Sequence, residues 1–120
     1  MNPEQEIRRR IQKTGPIDLA EFMEVALFRP QGGYYSGPEP IGASGDYYTS
    51  PLAHPAFGAL LAQQLFQMWR LLRCPGTFTV VEAGAGNGLL CRDIIAHSAH
   101  LPPDFRRSLR YICLDRRPAA

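Results

Sequence analysis

This chain has little of what marks a metal, disulfide or membrane protein. Its three cysteines, Cys74, Cys91 and Cys113, form no C-x-x-C pair. Cys91 and Cys113 sit among apolar neighbours, as buried free thiols do, a usage that suits a reducing compartment. His54, His97 and His100 find no cysteine or carboxylate at ligand spacing, so no metal site is expected. No Ser-His-Asp or other nucleophilic set stands out. A net charge of +2 is too small to argue for nucleic acid or an anionic membrane. The basic residues cluster at Arg8 to Arg10, at Arg106, Arg107 and Arg110, and at Arg116 and Arg117, and read as solvated faces. No apolar run approaches the ~18 residues of a membrane span. The N-terminus lacks a signal-peptide stretch, and Glu4 and Glu6 argue against a transit peptide, so a cytoplasmic location is expected. There is no internal repeat and no low-complexity segment.

What is present reads as globular. The 120 residues are 45% hydrophobic and 20% charged, and a chain of this length buries roughly two-thirds of its unfolded surface. Residues 3–13 form a helical pattern with Ile7 and Ile11 on one side and Arg8, Arg9, Arg10 and Lys13 on the other, ended by Gly15-Pro16. Asp18 and Glu21 make a capping box for a second helix, with Ile17 and Phe22 as its staple. Its buried stripe is expected to be Phe22, Met23, Ala26 and Leu27. From Pro55 to about Leu72 a longer helix places Phe57, Leu60, Leu61, Leu65, Met68 and Leu72 on one face.

The densest signal follows. A β-branched apolar run from Thr77 to Val81 ends in Glu82, and Gly84, Gly86 and Gly88 stand at alternate positions behind it. A helix from about Gly88 to His97 resumes with Leu90, Ile94 and Ile95. After the Pro102-Pro103 connection, residues 110–114 read as a second strand ending in Asp115. Strand, glycine turn, helix and strand make one β-α-β unit, whose strand ends open onto a shared crevice. There an acid at the end of the second strand can accept hydrogen bonds from ribose hydroxyls. A dinucleotide fingerprint needs G-x-G-x-x-G, and counting from Gly84 puts Leu89 at the last glycine. The spacing E-x-G-x-G-x-G is instead typical of S-adenosylmethionine (SAM) sites. A dehydrogenase remains a weaker reading.

Residues 30–51 are different in kind, rich in glycine, proline and tyrosine. A loop this long is usually functional or disordered, and the aromatics favour function. In Gly45-Asp46-Tyr47-Tyr48-Thr49-Ser50-Pro51, Asp46 can hold or deprotonate a nucleophile, and Thr49 and Ser50 offer hydroxyls near a helix start. The alternative is that Asp46 caps a turn and the tyrosines pack on the core.

Taken together, these motifs resemble the MidA-like SAM-dependent methyltransferases, a family that includes a mitochondrial protein arginine methyltransferase needed for complex I assembly. The resemblance is carried by Ile17 to Phe28, Gly33-Tyr34-Tyr35, Gly45 to Pro51, Phe57 to Leu60 and Val81 to Gly88. After Thr49-Ser50-Pro51 the family usually continues with an acid, where this chain has Leu52. The resemblance implies an α/β fold, in which N-terminal helices lead into the first β-α-β unit of a Rossmann-like methyltransferase. That fold is expected to be incomplete here, with a helical and Gly/Tyr-rich segment over 1–76 and the truncated SAM-binding portion over 77–120. It implies S-adenosyl-L-methionine bound by Glu82, Gly84, Ala85, Gly86, Gly88, Asp115 and Ser50. Asp46 and Tyr47 are the catalytic candidates, and the substrate is expected to be an arginine side chain of a protein. Nucleic acid and membrane are not expected as partners. A homo-oligomer through the incomplete sheet is possible, and a non-catalytic binding module on a truncated methyltransferase fold is the alternative function.

Overall fold

The computed structural model describes residues 1–37 and 49–116. The chain divides into two compact units, Met1–Tyr48 and Thr49–Ala120.

In the first unit, helix α1 spans Pro3–Thr14 and helix α2 spans Leu19–Phe28. Asn2 opens α1 with a capping box: its side chain accepts from Gln5 N at 2.9 Å, and Gln5 Oε1 accepts from Asn2 N at 3.0 Å. The residue α1 buries is Glu6, only 6% exposed, whereas Ile11 is 44% exposed. This corrects the expected Ile7/Ile11 face. Glu6 is surrounded by cations: Arg9 Nη2 at 2.8 Å, Arg10 Nε at 2.7 Å and Arg29 Nη1 at 3.4 Å. Arg9 and Arg10 are therefore partners of a buried acid as well as part of a solvated face. A paired, hydrogen-bonded charge is one the interior tolerates.

Asp18 caps α2 as expected, its carboxylate accepting from Glu21 N at 2.7 Å. The Glu21 carboxylate accepts instead from Arg10 Nη1 at 2.9 Å, so the ion cluster extends from α1 to α2. Val25 is the buried residue of α2, while Phe22 and Met23 are 46% and 44% exposed, against expectation. A short 3-10 turn, Tyr34–Ser36, follows. Tyr35 stacks on Phe28 with ring centres 5.6 Å apart. Gly33 precedes the turn because there is no room for more: a Cβ there would lie 2.5 Å from Arg29 O.

The second unit runs α3 (Ser50–Ala53), α4 (Ala56–Leu71), β1 (Phe78–Ala83), α5 (Leu89–Ser98), α6 (Pro103–Ser108) and β2 (Leu109–Leu114). Helix α4 buries Gly58, Ala62 and Trp69, and α5, against which it packs, buries Asp93, Ile94 and Ser98. Gly58 sits so close that a Cβ would lie 2.5 Å from Asp93 Cβ. The expected Leu/Met face of α4 is not the packed one: Leu60, Met68 and Leu72 are 71%, 43% and 62% exposed. Small residues set the contact because they let the helix axes approach.

Helix α6, unforeseen in the Pro102-Pro103 connection, starts with Pro103 at its first position, where a proline loses no hydrogen bond. It seats Phe105, fully buried, with ring centres 5.5, 5.6 and 6.3 Å from Phe66, Trp69 and Phe78. The two strands pair in parallel, from Phe78 opposite Leu109 to Ala83 opposite Leu114. Phe78, Val80 and Glu82 are half-buried with Leu109 and Tyr111, while Val81, Ile112 and Leu114 on the other face are exposed. Cys113 is exposed and Cys91 half-buried, so neither is the fully interior thiol its neighbours suggested; Cys74 is exposed as well. The architecture is the first β-α-β portion of a Rossmann-like fold, led in by helices.

Candidate functional site

The site is made where β1 ends. Strand register brings the C-terminal ends of β1 and β2 side by side, and both strands leave the sheet there. Gly84, Gly86 and Gly88 take φ of +70°, +60° and +79°, a region that side chains with a Cβ rarely enter. The turn is held from beneath. Ala85, itself buried, donates its N–H to Leu114 O at 3.0 Å, and Gly86 donates to Asp115 Oδ2 at 2.7 Å. Gly88 N donates to Ala85 O at 3.1 Å, and Leu89 N to Asn87 Oδ1 at 3.1 Å. The turn is thus tied both to itself and to the end of β2.

The other side of the turn is open. A Cβ added at Gly84, Gly86 or Gly88 would meet nothing within 4 Å. Gly88 caps α5 in the left-handed conformation. The next two amides, Leu90 and Cys91, find no acceptor among the described residues. A helix N-terminus with open amides favours an anionic group. Ala85, Gly86 and Gly88 use their N–H groups internally, so the donors of this turn are concentrated at the start of α5. That end can receive the carboxylate of a ligand such as SAM.

Beneath the turn lies a group of side chains that sequence reasoning only half found. Tyr111 Oη donates to Glu82 Oε2 at 2.7 Å across the two strands. Burial, and then the Glu82 carboxylate, push the phenol well above its ordinary range. Cys91 faces Cys113, and its thiol is pushed up to about 11, first by burial and then by its hydrogen bond with Cys113. Tyr111 was legible only as one residue of a strand. The parallel register carries the missing signal, because Glu82 pairs with Cys113, two residues beyond Tyr111 and so on the same face.

Of the residues expected to bind cofactor, Glu82, Gly84, Ala85, Gly86, Gly88 and Asp115 come together in this one place. Ser50 is the first residue of α3, exposed, on a short helix that touches α4 and α5. Asp46 and Tyr47 lie outside the described residues. Two histidines have local roles: His54 Nδ1 accepts from Ala56 N at the start of α4, and His97 Nε2 lies 3.0 Å from Gln63 Nε2, linking α5 to α4. Among the described residues no three His, Cys, Asp or Glu side chains converge as a metal site, and no helix is long and apolar enough to cross a membrane.

Comparison with known proteins points to methyltransferases. Residues 60–120 match the family model described as "Putative S-adenosyl-L-methionine-dependent methyltransferase". The chain is 41% identical over 90 residues to the Drosophila melanogaster "Protein arginine methyltransferase NDUFAF7 homolog, mitochondrial", an alignment covering 75% of this chain and 21% of that protein. It is 38% identical over 86 residues to the human protein of that name, covering 72% of this chain and 20% of the relative. The crystal structure of a COG1565 superfamily member from Burkholderia thailandensis, bound to S-adenosyl-homocysteine, superposes with a TM-score of 0.79. Its sequence is 29% identical, and the match covers 97% of this chain and 30% of that one. The chain spans about a fifth of the length of the curated relatives it matches.

The relatives' mitochondrial names overturn the cytoplasmic expectation. That expectation leaned on Glu4 and Glu6, yet both belong to a folded helix. Glu6 is buried among arginines and Glu4 pairs with Arg8 at 2.9 Å, so these acids serve the fold and carry no information about targeting.

Proposed function

The chain belongs to the MidA-like family of S-adenosyl-L-methionine-dependent methyltransferases, and from that premise we propose that it forms the cofactor-binding part of a methyltransferase acting on protein arginine. The observation that carries the reading is the glycine turn, open on one side and tied to Asp115 on the other. Bound there, the cofactor supplies an electrophilic methyl group on a sulfonium. The chain's own task is to place it. The N-terminus of α5, with the Leu90 and Cys91 amides, receives the carboxylate end of the ligand. Glu82 receives its ammonium group. Asp115, while holding the Gly86 amide, accepts from the ribose hydroxyls, since a carboxylate has room for several donors.

Methyl transfer is an in-line displacement, so alignment of nucleophile, methyl and sulfur carries most of the catalysis. No triad or metal is required of the chain. A guanidinium substrate calls for a carboxylate to orient it, and Asp46, next to Tyr47 and four positions before Ser50 in the sequence, is our candidate. The relatives' names support both the arginine substrate and a mitochondrial setting. The test is transfer of a labelled methyl from SAM to arginine-containing protein by the protein expressed from its complete open reading frame. Label on arginine supports the reading, and label on another residue, or none, refutes it.

A further inference from the structure

We propose that Tyr111 is a positioning residue for the cofactor, fixing Glu82 so that its second carboxylate oxygen is presented to the ligand's ammonium group. The proposal rests on the reading of the glycine turn as the cofactor site. Its basis is the contact between the strands: Tyr111 Oη lies 2.7 Å from Glu82 Oε2, and both residues are half-buried on one face of the sheet. Glu82 Oε1 accepts no hydrogen bond from a described residue, and no cation pairs with this acid among them. One oxygen is held and the other is offered, immediately before the chain turns at Gly84.

A glutamate has three side-chain torsions, and an unanchored one spreads over many rotamers. A rigid aromatic donor on the neighbouring strand removes most of that freedom before the ligand arrives. The donor is also constant. A phenol keeps its proton throughout the physiological range, and burial and the Glu82 carboxylate push this one further up. The groups facing the pair, Cys91 from α5 and Cys113 from β2, bring no positive charge that would neutralise Glu82 in the cofactor's place.

The experiment measures S-adenosylhomocysteine binding to the full-length protein by calorimetry for wild type, Tyr111→Phe, Glu82→Gln and the double variant. Tyr111→Phe is expected to weaken binding about tenfold, the size of one hydrogen bond to a charged group. It should raise KM for SAM while leaving kcat in place. In the Glu82→Gln background it should cost nothing further, because the group it positions is gone. Wild-type affinity in Tyr111→Phe, or additive losses in the double variant, overturns the proposal. If Glu82→Gln itself binds normally, the cofactor reading of Glu82 falls first, which separates the two failures. Should Tyr111→Phe not fold, the Tyr111 ring resonances of the wild type decide: a shift on adding S-adenosylhomocysteine is expected, and unmoved resonances overturn the proposal.

Discussion

The backbone N–H of Gly86 donates to the Asp115 carboxylate at 2.7 Å, joining residues 29 positions apart. This bond makes the glycine turn and the end of β2 a single structure. A turn free of β2 would shift with each ligand, whereas this one is set before a ligand arrives. Gly86→Ala tests how much the turn depends on its backbone. A Cβ there meets no neighbour, so the cost is that of φ +60° alone, about 1–2 kcal/mol of stability by urea denaturation. A loss below a few tenths of a kcal/mol would mean that the turn takes another conformation.

The second unit depends on Phe105. It is fully buried and touches three other rings, from α4 and β1. Phe105→Ala is expected to cost about 3–5 kcal/mol, read as a lowered urea midpoint. A loss under 1 kcal/mol would show that α6 does not seat on this core.

In the first unit, stability should depend on pH through Glu6. Arg9 and then Arg10, through their hydrogen bonds, hold its carboxyl far below the usual carboxylate range. A depressed folded-state value means the stabilisation is fully present above the unfolded carboxylate range and drains away as pH falls through and below it. The wild type should therefore lose stability between pH 5 and strongly acid conditions more steeply than Glu6→Gln. Parallel curves would contradict the ion cluster. Glu4→Gln, at an exposed pair with Arg8, should change stability at pH 7 by less than about 1 kcal/mol.

The thiols offer a chemical check. Cys74 is exposed, whereas Cys91 is half-buried with its thiol pushed up to about 11. Iodoacetamide at pH 7.5 should modify Cys74 well before Cys91, because the thiolate is the nucleophile. Raising the pH towards 11 should narrow the gap. Mass spectrometry showing Cys91 modified first would contradict its placement.

Much of the second unit is legible in the sequence, and the reasons are local. Alternate glycines behind a β-branched run define a turn whatever surrounds it, and Asp115 follows from where the next strand stops. Other features depend on partners far along the chain. Glu6 looks like a surface acid until Arg29, from beyond α2, joins Arg9 and Arg10 around it. The packed face of α4 is not legible from hydrophobicity, which favours Leu60 and Leu72, because contact with α5 is decided by the smallness of Gly58 and Ala62. Pro103 reads as a breaker, although at the first helical position it starts α6. Tyr111 meets Glu82 only through the strand register, which the sequence alone does not give.

Whether the glycine turn holds the cofactor is tested by calorimetric titration of the full-length protein with S-adenosylhomocysteine, comparing wild type with Glu82→Ala and Asp115→Ala. Saturable one-site binding is expected, weakened at least about tenfold by either substitution, as loss of a charged hydrogen-bond partner implies. Binding of equal strength in all three proteins would place the cofactor elsewhere and contradict that reading of the turn.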